Sequence, residues 1–165
     1  MSEEAAPVTY IVTPVRLEYD HSAGNAATLF LRGLAQRKII GTRTGPGQPV
    51  LVPPRGADPR TAELALEAVE VSDKGTIVSY SIVRVPSENI HFELPYVCIN
   101  ILLDGADVPF FHVLQNCPLD EVRIGMRARA HWVPDEQLAP TIASIEYFEP
   151  IDEPDVPFDR IREHT

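Results

Sequence analysis

The stretch GTIVSYSIVRVPSENIHFELPYVCINILLDGADVPFFHVLQNCPLDEVRIGMRARAHW, Gly75 to Trp132, decides the fold. It holds three runs rich in β-branched and aromatic residues, Thr76–Val85, Tyr96–Leu103 and Val108–Leu114, and a fourth, Met126–Val133, after a short polar segment. Such side chains suit a pleated, half-buried surface. Gly75, Gly105 and Gly125 stand before or between the runs, where a tight bend costs least on glycine. Asp104-Gly105 is a hairpin signal between the second and third runs. Together they predict a small antiparallel barrel or sandwich.

Outward from that block, Leu64–Val71 reads as the first barrel strand and Thr141–Phe148 as the closing one. Asp73-Lys74-Gly75 is a turn, and Pro118–Ile124 is expected to form one helical turn at the barrel base. Upstream, Ala26, Phe30, Gly33, Leu34 and Arg37 recur at helical spacing, predicting a helix over about 24–38 with Asp20 or Ser22 as its cap. Its narrow apolar stripe centres on Phe30 and Leu34 and has two readings, packing on its own domain or on a partner. Between helix and barrel, Ile39–Thr42 and Val50–Val52 read as short strands, bracketed by the Thr44–Pro49 and Arg55–Thr61 turns. That outline is a zinc ribbon's, but a structural zinc site needs four thiolate or imidazole ligands and this segment has none, so no metal is expected. The division expected is an arm over 1–21 (extended over Tyr10–Tyr19), helix and degenerate ribbon over 22–63, barrel over 64–149 and an acidic, solvated or partner-dependent tail over 150–165.

The chain has 165 residues, 44% of them hydrophobic, and a formal net charge of −10. That charge argues against nucleic acid, whose phosphates need Lys and Arg, and against an anionic membrane. Without a signal-like or spanning apolar run, the protein is expected in the cytoplasm. Cys98 and Cys117 lie in or beside apolar runs and read as buried thiols rather than a disulfide or nucleophile. There is no GxSxG elbow, phosphate-binding loop or GxGxxG. Asp104 and Asp107 lack the further acids of a calcium loop and read as a solvated turn. His91 shares an exposed loop with Phe92 and Glu93 but has no paired nucleophile. Arg123, Arg127 and Arg129 are candidates for an anionic ligand such as a nucleotide phosphate, with salt bridges to nearby acids as the competing reading. No catalytic residue is assigned.

Helix, paired knuckles and barrel, in that order, carry the pieces AATLFLRGLAQRKIIGTR (26–43), VLVPPR (50–55), DKGTIVSYSIV (73–83), LPYVCINILLDGADVPFFHVL (94–114) and DEVRIGMRARAHW (120–132). In these the chain resembles the zinc-ribbon/OB-fold acyl-CoA-associated family, long catalogued as a domain of unknown function. The resemblance implies an N-terminal helix, a rubredoxin-like ribbon and an OB-fold Greek-key barrel of five or six strands. It implies a non-catalytic accessory subunit of a thiolase-like enzyme (thiolase, aldolase or lipid-transfer-protein-like) in acyl-CoA, lipid or steroid side-chain metabolism. Acyl-CoA would then be a ligand of the complex, and a homodimer would be open to the chain without its partner. Family members commonly carry CxxC pairs in both knuckles; this chain has Gly45–Gln48 and Asp58–Thr61 there, so zinc does not carry over. The partner-binding residues expected are Phe30, Leu31 and Leu34 on the helix and His91, Phe92 and Tyr96 on the barrel. The alternatives are a free-standing acyl-CoA or nucleotide binder and, third, a single-strand nucleic-acid binder, which would pair a basic groove with stacking aromatics.

Overall fold

The computed structural model describes residues 9–86 and 92–165. One helix, α1 (Gly24–Leu34), precedes seven strands: β1 (Ile39–Arg43), β2 (Glu67–Val71), β3 (Lys74–Val83), β4 (Tyr96–Leu103), β5 (Phe110–Leu114), β6 (Arg127–Trp132) and β7 (Ile145–Pro150). Five of them close a barrel in the order β3-β4-β5-β7-β6, with β6 antiparallel to β3 and β5 parallel to β7 at Leu114 and Phe148. That is the Greek-key order of an OB-fold, and closure leaves the barrel no edge. Alternation does the sorting. Val97, Ile99, Ile101 and Leu103 of β4 point inward and are buried, while Tyr96, Cys98, Asn100 and Leu102 between them are only half-buried. Phe110, Leu114, Met126, Ala128, Ala130, Ile145 and Phe148 complete the interior.

Gly75 is required by close approach rather than by its φ. A Cβ there would lie 2.4 Å from the Leu102 carbonyl oxygen and 2.8 Å from Leu103 Cα, because β3 and β4 cross tightly at this point. Gly105 and Gly125 do take positive φ, at 94° and 93°.

Several boundaries differ from the expected ones. Residues 67–71 are not a barrel strand: β2 pairs antiparallel with β1, from Ile39↔Val71 to Arg43↔Glu67, in a separate two-stranded sheet. The second ribbon strand shrinks to one bridge, Thr42↔Leu51, because Pro49, Pro53 and Pro54 flank it and supply no N–H donors. The helix stops at Leu34 rather than Lys38. The Lys38 N–H donates back to the Gly33 carbonyl (2.9 Å) and Arg37 takes φ 57°, a reversal made over the bare Gly33 surface on which Ile40 packs. Its N-cap is Ala23, without a side-chain cap from Asp20 or Ser22. Residues 118–121 form a hydrogen-bonded turn, not a helix, with Glu121 N–H on the Pro118 carbonyl at 3.0 Å. β5 starts at Phe110, not Val108, because the hairpin loop before it is used for docking: Asp107 accepts from Val50 N–H (2.8 Å) and donates its own N–H to the Val50 carbonyl (2.9 Å).

The C-terminal segment is not a loose tail. It straps across the barrel, with Val156 N–H on the Gly125 carbonyl at 2.9 Å and Ile161 buried. Arg127, itself only 8% exposed, holds it. Its guanidinium donates to both Asp104 oxygens (2.5 and 2.7 Å), to Thr76 Oγ1 (3.0 Å) and to Glu153 (3.0 Å). Lys74 Nζ meets the other Glu153 oxygen at 2.5 Å. Asp104 is therefore a structural partner rather than a solvated turn residue.

Candidate partner and ligand surfaces

The ribbon-like module is tied together by side-chain hydrogen bonds to its own backbone. In the second knuckle the buried Asp58 carboxylate accepts from Arg60 N–H at 2.7 Å, and Asp58 N–H donates to the Glu63 carbonyl at 2.9 Å. This local turn is of the kind aspartate makes with its own backbone. The Arg60 N–H holds the Asp58 carboxyl below the usual carboxylate range. Between the knuckles, buried Thr42 Oγ1 donates to the Arg55 carbonyl (2.9 Å) and accepts from Arg55 N–H (3.1 Å). Knuckle positions 45–48 and 58–61 offer one carboxylate and no thiolate or imidazole, so the residues do not fit a structural zinc.

Phe30 and Leu34, expected to meet a partner, are spent inside the chain. Phe30 is 6% exposed and sets its ring edge-on against Phe110, centroids 6.2 Å apart; Leu34 is fully buried. Leu31 is partly buried against the same core. Of the two readings of the stripe, packing within the chain is the one seen, because the barrel supplies the other half of that core through Phe110. The helix face left open instead carries Leu29, which with Ala65 and Leu66 lines a groove of about 380 Å³ between α1 and the segment that leads into β2. Both sides of that groove come from pieces far apart in sequence, and Leu66 lies in a segment read as barrel, so the periodicity of neither run announces it.

Phe92 and Tyr96 come together, ring centroids 5.5 Å apart, on one wall of a cleft of about 430 Å³ at the barrel mouth. Leu114, Asn116, Cys117 and Leu119 form the other wall. His91, the third residue expected here, lies outside the described residues. The far wall was missed from the sequence because it depends on which strand follows β4 around the barrel. Asn116 is in the left-handed region (φ 56°), and its amide donates to Glu149 (2.8 Å) and Tyr147 (3.3 Å), which fixes that wall to β7. Burial raises the Cys117 thiol, and Glu121 and Asp120 raise it further against the opposing pull of Arg123. Burial raises the Cys98 thiol too. Both are therefore poor nucleophiles. The cleft sets an aromatic wall against polar groups of Glu93, Gln115 and Asn116, a mixed lining that suits a side chain carrying both apolar and polar parts.

The three arginines do not form an anion site. Arg123 is bound by Asp155 at 2.5 and 2.9 Å, and Arg127 by Asp104 and Glu153. Arg129 is exposed on the outer face of β6, without an ion pair among the described residues. No helix among the described residues is long and apolar enough to cross a membrane.

The geometry thus defines a class: a closed OB-fold barrel preceded by a helix and a ribbon-like hairpin docked on its side. Residues 68–133 match the family model described as ChsH2, C-terminal OB-fold domain. Two solved structures share the wider architecture. One, described as "Ltp2-ChsH2(DUF35) aldolase", aligns at TM-score 0.57 and 20% identity over 82% of this chain and 98% of that one. The other, a DUF35-family protein of unknown function from Sulfolobus solfataricus, aligns at TM-score 0.58 and 20% identity over 78% and 87%. No curated protein matches the chain. The resemblance read from the sequence therefore holds for the barrel residues 68–133, and the likeness of the rest of the chain to these structures is one of fold.

Proposed function

We propose that this protein is a non-catalytic accessory subunit of a thiolase-like enzyme, a thiolase, aldolase or lipid-transfer-protein-like partner acting on acyl-CoA, lipid or steroid side-chain substrates. Its place would be to stabilise that partner and shape its substrate channel. The observation that carries the reading is the match of residues 68–133 to the ChsH2 OB-fold domain. The likeness of fold, over 82% of this chain, to a structure described as "Ltp2-ChsH2(DUF35) aldolase" adds support. The cleft at Phe92 and Tyr96, aromatic on one wall and polar at Gln115 and Asn116, has the mixed chemistry of a protein–protein contact and supports the reading. Raised thiols and ion-paired arginines favour a scaffold over a reactive centre.

The test is affinity capture of the tagged chain from its native lysate, with mass spectrometry and sizing of what co-purifies. A thiolase-like protein in a defined hetero-oligomer is the expected result. Phe92→Asp, on the cleft rim, should weaken that capture while leaving thermal unfolding unchanged. Recovery of this chain with no such enzyme refutes the reading, and calorimetry against CoA esters would then decide whether it binds them alone.

A further inference from the structure

The segment before α1 has the pattern of a strand but no sheet. Ile11, Thr13, Val15, Leu17 and Tyr19 alternate with Val12, Pro14, Arg16, Glu18 and Asp20. Arg16 Nε donates to Glu18 at 3.0 Å, which puts residues two apart on one face, as extended chain requires. An apolar face of period two specifies a half-buried strand. Yet Tyr10, Ile11, Val12, Val15, Leu17 and Tyr19 are 78–83% exposed, and residues 9–23 make no backbone hydrogen bond among the described residues. Pro14 sharpens the pattern. Lacking an N–H, it leaves only the backbone groups of the alternate residues, Thr13, Val15 and Leu17, for pairing, so the segment can join a sheet only at its edge.

The same chain carries one fitting edge. Thr42 spends both backbone groups on Leu51 (3.1 and 2.9 Å), so its cross-strand pair with Ala68 is not a hydrogen-bonded one. By alternation the Ala68 and Glu70 N–H and C=O groups point off the far side of β2, which has no second neighbour among the described residues. Where the chain enters β2 lies the groove between α1 and Ala65–Leu66, lined by Leu66 (68% exposed) and Leu29 (42%), with Leu64, 65% exposed, two residues before Leu66. A bare edge beside exposed leucines invites a further strand.

We propose that two copies of this chain exchange these arms: Tyr10–Tyr19 of one copy lies along β2 of the other, its apolar face reaching the groove between α1 and Ala65–Leu66. The arm does not occupy its own groove, and both halves of the fit sit on every copy, so a two-fold exchange satisfies each of them. The four large apolar side chains of that face, Ile11, Val15, Leu17 and Tyr19, bury roughly 100 Å² each, so two exchanged arms with the groove surface they cover come to about the 1,600 Å² total of a standard interface. This dimer is independent of the accessory-subunit reading.

Sedimentation of the isolated protein tests it. The wild-type chain should run at about twice its 18.3 kDa mass. Deleting residues 1–20 and, separately, Leu66→Asp should each weaken dimerisation by roughly 100-fold or more, since each dimer loses two such contacts. Far-UV circular dichroism of both variants should be unchanged, because the arm and the Leu66 side chain lie outside the core. Mixing the two variants should restore a dimer held by one arm in one groove, an outcome that general destabilisation would not produce. A monomeric wild-type chain, whether its arm is free or folded on its own groove, overturns the proposal. So does a dimer that survives both changes.

Discussion

Phe30→Ala is the substitution that best separates a helix docked on the barrel from one held ready for another protein. Phe30 is 6% exposed and meets Phe110 edge-on; Phe110 in turn meets Phe148, a fully buried residue of β7, at 6.2 Å. Truncating a phenylalanine so placed removes its transfer free energy and leaves a cavity that the barrel wall cannot close, a cost of about 3–5 kcal/mol. For a chain of this length each kcal/mol lowers Tm by about 2–4 °C, so the variant should melt roughly 6 to 20 °C below wild type. Denaturant titration with two independent probes gives the free energy and checks that unfolding stays two-state. A double-mutant cycle of Phe30→Leu with Phe110→Leu should show a coupling of about 0.5–1.5 kcal/mol, the part specific to the ring pair. A loss under about 1 kcal/mol, or additivity of the two changes, would refute the packing assignment and return the stripe to the surface. The same burial warns against Phe30→Asp as a binding test, since loss of a partner would then report loss of the fold.

Further outcomes follow from the geometry. Gly75→Ala should cost about 1–3 kcal/mol by overpacking β3 against β4, and Gly125→Ala should free the C-terminal strap, since its Cβ would lie 2.6 Å from the Val156 carbonyl oxygen at φ 93°; limited proteolysis after residue 150 reads the second effect. Chelator treatment should leave Tm unchanged and elemental analysis should find no stoichiometric zinc, whereas Asp58→Ala should lower Tm by undoing the knuckle that its carboxylate closes. Burial holds the His112 imidazole below its ordinary value, so unfolding takes up a proton: stability is complete above the unfolded pKa of about 6.5 and falls as pH drops below it. The Glu153 carboxyl is depressed by Lys74 and then Arg127, so its contribution is present above the unfolded pKa of about 4.3 and is lost as pH falls through the folded value; Glu153→Gln should flatten that lower part of a Tm-against-pH curve and leave the His112 part in place.

The barrel was legible because its signals are local. Alternation in Tyr96–Leu103 and the Asp104-Gly105 turn name β4 and its hairpin without help from the rest of the chain. What escaped depends on partners remote in sequence. Glu67–Val71 has the composition of any strand, and nothing within it says that it pairs with Ile39–Arg43 instead of entering the barrel. The C-terminal segment has the charge of a solvated tail, but Glu153 and Asp155 are matched one by one to Lys74, Arg127 and Arg123. Charge content predicts solvation only when the opposite charges are not already in place across the fold. The cleft was half legible: Phe92 and Tyr96 stand out as aromatics beside a loop, while Asn116 and Cys117 face them only because β5 follows β4 around the barrel.

Hydrogen bonds as the ties of the ribbon-like module decide what that module depends on. A zinc knuckle carries its own folding energy and can stand apart from its neighbours. Here the knuckle ties are the Asp58 turn, the Thr42–Arg55 pair and the two Val50–Asp107 bonds, and the last of these reach into the β4–β5 hairpin. Each such bond is worth only about 1 kcal/mol net, far less than a zinc site. The module must therefore borrow stability from the barrel, which it does through Phe30 on Phe110 and Asp107 on Val50. Helix, hairpin and barrel should accordingly unfold together. Hydrogen exchange at Thr42, whose N–H bonds the Leu51 carbonyl, should be as slow as at Ile77 in the barrel wall, whose N–H bonds the Met126 carbonyl. Exchange at Thr42 that is much faster would mean that the ribbon opens by itself and that the borrowed contacts do not bind it to the barrel.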